Sequence, residues 1–127
     1  MQALLDTHAL YWWLTDPPRL SKRALSLIAN GQNTVLLSAA VGWELAIKVS
    51  LGKLNALPLV LDLSRHVAEE GFVELPASLD HAVRAGLLPL HHRDPFDRML
   101  VAQAQALGIP IVSADPLLDQ YGVKRIW

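Results

Sequence analysis

Residues 94–115, DPFDRMLVAQAQALGIPIVSAD, decide the fold class because a helix leads directly into a strand there. Pro95 suits the first position of a helix, and Gly108 suits the residue just past its end, which predicts a helix over 95–107. Residues 109–112 form a short apolar run with β-branched side chains, which predicts a buried strand. A helix followed at once by a buried strand is typical of α/β proteins.

The same alternation extends outward from this segment to both ends of the chain. Apolar runs predict strands at 2–5, 34–37, 72–75 and 109–112, and a last edge strand is expected at 124–126. Helices are predicted over 8–14, 22–29, 39–50, 59–70, 78–85 and 95–107. Together they predict an α/β sandwich in which helices flank a central, mainly parallel β-sheet. We expect a single domain over residues 1–127, because the length suits one core and no linker is apparent.

The composition excludes several classes of protein. The chain has no Cys, which excludes a disulfide scaffold, a Cys-ligated zinc site and a thiol nucleophile. Eleven Lys and Arg against 12 Asp and Glu give a net charge of −1, which argues against a general polyanion binder. Asp6 interrupts the first apolar run, and turn residues at 30–33 interrupt the longest uncharged stretch. We therefore expect a cytoplasmic protein with no signal peptide or membrane span.

Four acidic residues are predicted to meet at one edge of the sheet. Asp6 and Asp115 follow strands, Glu44 lies on the helix after the second strand, and Asp97 lies in the first turn of helix 95–107. In an open parallel sheet, ligands bind at the carboxyl ends of the strands. Clustered carboxylates repel one another unless a cation is present, and oxygen ligands suit Mg²⁺ or Mn²⁺. Such a site activates water against a phosphate, which is nuclease or phosphatase chemistry.

Each acid also has a structural interpretation. Asp94 suits the N-cap of helix 95–107, with Asp97 as an acid in its first turn. Glu44 is spaced to pair with Lys48 one turn later on a solvated face. Asp115 suits the N-cap of a short helix that starts at the following proline. Asp6 has the weakest structural interpretation, because a lone carboxylate after an apolar strand seldom stabilises a fold.

Other site motifs are absent. The chain lacks the GxGxxG, GxxxxGK[ST], GxSxG and HExxH patterns, so dinucleotide, P-loop, serine-hydrolase and zinc-protease chemistry have no support. We expect His91 and His92 to be structural or exposed, the alternative being that His92 contacts a substrate. The run from Tyr11 to Trp13 is expected in the core or an interface rather than as a base-stacking surface.

Four blocks of the sequence together resemble the PIN-domain nucleases, and in particular their VapC-type toxins. The blocks are LLDTHAL at 4–10, SAAVGWELAIK at 38–48 with GKL at 52–54, HHRDPFDRMLVAQA at 91–104, and IVSAD at 111–115. The resemblance spans residues 2–127 and implies a three-layer PIN fold. It also implies a Mg²⁺- or Mn²⁺-dependent endoribonuclease that acts as the toxin of a type II toxin–antitoxin pair. A small antitoxin would block its site, and such toxins commonly form homodimers.

The resemblance assigns the family's acidic site to residues of this chain. Its catalytic and metal-binding acids fall on Asp6, Glu44, Asp97 and Asp115. Asp94 competes with Asp97 for the third position, and we assign Asp97 because the family acid precedes the helix segment that 98–104 supplies. Substrate contact or support of the ligands is expected from Thr7, Lys48, Asp94, Arg98 and Ser113. Ser113 stands where many relatives carry Thr, a change that keeps the hydroxyl.

The mechanism expected from this assignment is metal-assisted hydrolysis. Asp6, Asp97 and Asp115 would bind the ion directly or through water, and the activated water would attack an RNA phosphodiester in line. Basic side chains near the acids would hold the flanking phosphates, namely Lys48, Arg93 and Arg98. The alternative for two of them is pairing along a helix, Lys48 with Glu44 and Arg98 with Asp94.

Two other functions compete with the nuclease. One is an acidic-site phosphohydrolase or phosphotransfer domain with Asp6 as phospho-acceptor, which would want a second Asp where His8 stands. The other is a non-catalytic PIN-like protein that binds an antitoxin or an operator, although none of the four acids is missing. Five of the 12 acids lie in or beside the proposed site, and the other seven face 11 basic residues. The charge pattern therefore indicates an acidic pocket in a modestly basic body.

Overall fold

Five short strands form one sheet, and most of them lie on apolar runs of the sequence. In the computed structural model, which describes residues 1–127, they are β1 (Gln2–Leu5), β2 (Thr34–Ser38), β3 (Val73–Leu75), β4 (Ile111–Val112) and β5 (Arg125–Ile126). Their order is β3-β2-β1-β4-β5, and every neighbouring pair is parallel. The predicted α/β sandwich is confirmed, with a sheet that is wholly parallel rather than mainly so.

Seven α-helices connect and flank the strands. They are α1 (Thr7–Thr15), α2 (Lys22–Ala29), α3 (Ala39–Ser50), α4 (Leu57–Leu61), α5 (Leu63–Glu69), α6 (Leu79–Leu87) and α7 (Pro95–Leu107). Two 3₁₀ turns add Pro17–Arg19 and Pro116–Tyr121. The predicted N-caps are confirmed, since Ser21 Oγ accepts from the amide of Ala24 and Ser38 Oγ from that of Ala40. None of these helices combines the length and apolar character that a bilayer crossing requires.

Three predicted element boundaries are wrong. The helix expected over 59–70 is two helices, which start at Leu57 and break at Asp62, whose backbone (φ −105°, ψ 18°) is not helical. The helix expected to end before Gly86 continues to Leu87, because Arg98 binds carbonyls of its last turn. The strand expected over 109–112 covers only its last two residues. Pro110 has no amide hydrogen, and the amide of Ile109 is already donated to Ala104 O.

The core lies on both sides of the central strands and fixes where they end. Ala3, Leu4 and Leu5 of β1 and both residues of β4 are fully buried. Leu4 of β1 is in register with Leu36 of β2 and with Ile111 of β4. Because close-packed strands in register are rigid, the residues that follow β1 and β4 are held at one edge of the sheet. Asp6 and the segment that leads to Asp115 start from this edge.

Candidate active site

Two of the predicted acids meet at a histidine. His92 Nε2 lies 2.8 Å from Asp115 Oδ2 and 3.1 Å from Asp97 Oδ2. All three side chains are partly buried, and one ligand atom of each lies within 4.8 Å of the others. The structure therefore brings Asp97 and Asp115 close enough to share one cation.

The imidazole of His92 is oriented by the start of α7. Its Nδ1 accepts a hydrogen bond from the amide of Asp94 at 3.1 Å. A neutral imidazole with Nδ1 as acceptor carries its hydrogen on Nε2, which then points at the two carboxylates. His92 therefore acts as a donor that holds Asp97 and Asp115 at a fixed separation.

Asp94 and Asp97 have different positions, although both open α7. Asp94 is the N-cap, and its Oδ1 accepts from the amides of Phe96 at 2.8 Å and Asp97 at 3.3 Å. Asp97 lies one turn further on and directs its carboxylate to His92. The capping interpretation of Asp94 is confirmed. Asp97 is the acid that lies with Asp115.

Burial and neighbouring acids raise the pKa of Asp97 from 3.8 to about 7. Burial is the largest cause, and the charge of Asp94 adds to it, while His92 acts in the opposite direction. The charges of Asp6 and Glu44 raise it further. Clustered carboxylates are an arrangement that a divalent ion would stabilise.

Asp6 is buried at the carboxyl end of β1 and begins α1. Its Oδ1 accepts from the amide of Ala9 at 2.8 Å, so it is the N-cap of this helix. The expectation that Asp6 has little structural role is therefore wrong. Burial raises the pKa of Asp6, although hydrogen bonds from the Ser113 hydroxyl and the Ala9 amide oppose the rise.

Glu44 is buried on α3 between two donors. Thr7 Oγ1 donates to its Oε1 and Lys48 Nζ donates to its Oε2, each at 2.6 Å. The predicted pairing with Lys48 is confirmed, but Glu44 does not lie on a solvated face, since it is only 6% exposed. The two donors fix the direction of this carboxylate and satisfy both of its oxygens inside the protein.

Asp115 combines a capping role with its place in the cluster. Its Oδ1 accepts from the amide of Leu117 at 3.0 Å and caps the second 3₁₀ turn, as the structural interpretation expected. Its Oδ2 remains free to face His92. The fully buried Ser113 accepts from the Asp115 amide at 3.0 Å, which fixes the backbone at the end of β4.

Arg98 does not pair with Asp94, so that expectation is wrong. Its guanidinium instead donates to backbone carbonyls at the end of α6 and in the segment between α6 and α7, those of Ala85, Gly86, Leu88, Pro89 and His92. These bonds satisfy carbonyls at the end of α6, which continues past Gly86. The arrangement makes Arg98 a clamp for the loop that carries His92, and it leaves Arg98 less available to hold a phosphate than the exposed Arg93.

Two contacts of the site were not predicted from the sequence, that of His92 with the acids and that of Tyr121 with His92. The Tyr121 hydroxyl donates to Pro89 O and accepts from the amide of His92, both at 2.8 Å. The position of His92, two residues before the cap of α7, was a usable signal that it lies near Asp97. The sequence carried no signal for Tyr121, because its contact with His92 spans 29 residues.

The chain is similar in sequence and in fold to known proteins. The sequence matches the PIN domain over residues 3–124. Ribonuclease VapC22 of Mycobacterium tuberculosis is 32% identical, across 96% of this chain and 93% of that protein. Among solved structures, VapBC2 from Rickettsia felis bound to a DNA fragment from its promoter has a TM-score of 0.70 at 14% identity, covering 98% of this chain and 97% of that one. VapBC-1 from nontypeable Haemophilus influenzae has a TM-score of 0.66 at 15% identity, covering 98% and 96%. At these identities the two structures show a shared fold.

Proposed function

The chain belongs to the PIN-domain family, and from this premise we propose that it is an endoribonuclease that acts as the toxin of a toxin–antitoxin pair. The observation that carries the proposal is the convergence of Asp97 and Asp115 on one point, where the charges of Asp6 and Glu44 also act on Asp97. The relative of 32% identity is named a ribonuclease, and the neighbouring folds belong to VapBC complexes. The substrate is therefore RNA, and the partner is a cognate antitoxin protein.

We propose that the site holds Mg²⁺ or Mn²⁺. Asp97 and Asp115 would hold the ion, with Asp6 and Glu44 beside it, because these four residues offer only oxygen ligands. The distances support the fit, since one ligand atom each of Asp97 and Asp115 lies within 4.8 Å of the other. When bound, a divalent ion supplies an activated water and polarises the phosphate.

The residues around the acids have supporting tasks in this proposal. Thr7 and Lys48 orient Glu44, and Ser113 holds the backbone at Asp115. Arg93 is exposed beside the site and is the basic residue that we expect to hold a substrate phosphate. Asp94 supports the site through the start of α7, and Arg98 supports it through the loop of His92.

The phosphotransfer alternative has little support from the surroundings of Asp6. A phospho-acceptor needs an accessible, ionised oxygen, whereas Asp6 is 5% exposed and its Oδ1 caps α1. Its raised pKa also disfavours the nucleophilic form. A carboxylate in this position is better suited to support a cation than to attack a phosphate.

The experiment that tests the proposal measures RNA cleavage by the wild type, Asp97→Asn and Asp6→Asn. The protein is stripped with EDTA and assayed before and after Mg²⁺ or Mn²⁺ is restored, with circular dichroism as the check on folding. We expect cleavage only with added metal and a loss in both variants. Undiminished metal-dependent cleavage by both folded variants would overturn the site assignment.

The partner proposals are tested separately. A short reading frame next to the gene is expected to encode the antitoxin, and its product should co-purify with this chain and suppress the RNA cleavage. Induction of the chain alone should arrest growth, and Asp6→Asn should not. Equal arrest by both would favour a non-catalytic binding function. Light scattering of the purified chain tests the expected homodimer.

A further inference from the structure

A basic and aromatic groove lies beside the acidic site. It encloses about 350 Å³ between the start of α1, the first 3₁₀ turn, α3 and the loop after α3. The lining side chains that matter here are His8, Tyr11, Trp12, Arg19, Lys48 and Lys53. No Asp or Glu lines this groove. Its chemistry is therefore the opposite of the acidic site next to it.

Two of the cations in the groove have no acidic partner. Arg19 and Lys53 are exposed and form no salt bridge, whereas Arg65 and Arg84 are each paired with acids three or four residues away. The third cation, Lys48, bonds to Glu44 and remains about one-third exposed. Unpaired cations that face a concave surface attract an anionic ligand.

The groove also presents flat groups for stacking. The rings of His8 and Trp12 lie 5.3 Å apart at 36°, and the guanidinium of Arg19 lies 4.8 Å from the centre of the Trp12 ring. The structural explanation for Trp12 is packing, since its ring also lies 5.8 Å from Trp127. That packing leaves Trp12 half-buried, and it still lines the groove together with the exposed His8. Aromatic rings and arginine planes beside unpaired cations are the features that bind unpaired nucleobases with their phosphates.

The groove is continuous with the proposed catalytic site. Thr7 and Lys48 line the groove, and both donate to the carboxylate of Glu44 at 2.6 Å. Thr7 also directly follows Asp6, whose carboxylate caps α1, so the groove begins next to one of the proposed acids. A chain that passes along the groove therefore arrives at the acids.

We propose that this groove binds the single-stranded segment of the RNA next to the scissile phosphate. The bases stack at Trp12 and His8, and the phosphates bind Arg19 and Lys53. The inference rests on the proposed ribonuclease function and adds to it the path and the form of the substrate. Because stacking and phosphate contacts tolerate any base, the groove selects unpaired RNA rather than a sequence.

Binding without cleavage tests the phosphate contacts. The probe is a fluorescein-labelled single-stranded RNA of about 12 nucleotides, within the length that such grooves bind, measured by anisotropy in EDTA. We expect the Arg19→Gln/Lys53→Gln variant to bind about tenfold more weakly. Its slope of log affinity against log salt should be smaller by about 1.4, since each lost contact to single-stranded RNA removes about 0.7. The matched control, Arg84→Gln/Lys124→Gln, removes the same number of positive charges at positions outside the groove. It should bind like the wild type.

A second set of variants tests stacking. Trp12→Leu keeps apolar bulk against the core but removes the ring, so RNA affinity should fall about tenfold. Trp12→Phe keeps a ring and should restore most of the affinity. Trp43→Leu removes an exposed tryptophan that does not line the groove and should change nothing. In cleavage assays, Trp12→Leu should raise KM and leave kcat within about twofold. This is expected when the lost contact binds the substrate and the transition state equally.

Two results would overturn the inference. One is RNA binding by the groove variants that equals that of their matched controls. The other is unchanged RNA binding together with lost capture of the co-expressed antitoxin, which would assign the groove to the protein partner. Failure of the proposed function is a different result, namely a wild type that cleaves no RNA with Mg²⁺ or Mn²⁺. The anisotropy measurement distinguishes the two, because it needs neither metal nor cleavage.

Discussion

Asp97 and Asp119 lie in opposite electrostatic environments of the same small fold. Asp119 precedes β5 and is exposed, and Arg125 donates to both of its oxygens at 2.9 and 3.1 Å, which lowers its pKa. Asp97 lies among other acids, and burial raises its pKa to about 7. The fold therefore pairs the acid near the β5 edge with an arginine, whereas it buries Asp97 among other carboxylates with the His92 imidazole beside it. The second arrangement is costly for stability and useful for binding metal.

The largest effect is expected on catalysis. Asp97→Asn should lower kcat/KM for RNA by about 10³-fold, because loss of a metal ligand removes several kcal/mol of transition-state stabilisation. Asp119→Asn removes an acid of the same type and should leave kcat/KM unchanged. The measurement is metal-dependent cleavage of one RNA by both purified variants. An equal effect of the two substitutions would break the distinction between the two edges.

The pH dependence of stability should show the cost of the uncompensated acid. The pKa of Asp97 is about 7 in the fold and 3.8 in the unfolded chain. The folded state therefore holds this proton more strongly, and the free energy of unfolding falls as pH rises from about 4 to 7. The fall amounts to at most about 4 kcal/mol relative to Asp97→Asn. Urea unfolding of the metal-free wild type and of Asp97→Asn across this range measures it. Stability that rises with pH, relative to the variant, would contradict the assigned environment.

Arg98, which binds the segment between α6 and α7, should contribute more to the free energy of unfolding than an exposed ion pair does. Arg98→Gln leaves several carbonyls between α6 and α7 without a charged donor, and we expect a loss of about 2–3 kcal/mol in unfolding free energy. Arg84→Gln breaks an exposed ion pair with Asp80 and should be within the error of the measurement. Urea unfolding at fixed pH compares the two. Similar small losses would mean that the loop is held by Tyr121 and packing alone.

Local signals made the fold and most of the site predictable from the sequence. Pro95 and Gly108 delimit α7, and the apolar runs place Asp6 and Asp115 after strands, which a parallel sheet brings to one edge. The break between α4 and α5 was not predictable, because apolar periodicity continues through Asp62. The role of Arg98 depends on a loop whose path only tertiary contacts define. His92 joins the acids through the same loop, so its contact with Asp115 could not be read from spacing.

His92 orients the two carboxylates that we propose as ligands of the cation. Its Nε2 lies between Asp97 and Asp115 and keeps the two carboxylates at a separation that one ion can span. His92→Ala should therefore weaken Mn²⁺ binding by about 10–100-fold, as is usual when a group that orients ligands is removed. The neighbouring His91→Ala is the matched control, because His91 is exposed and packs only near Tyr121. Isothermal titration of metal-free protein with MnCl₂ measures both affinities. Tighter binding by His92→Ala would mean instead that the imidazole occupies the place of the cation, in which case the ion must displace it before RNA is cut.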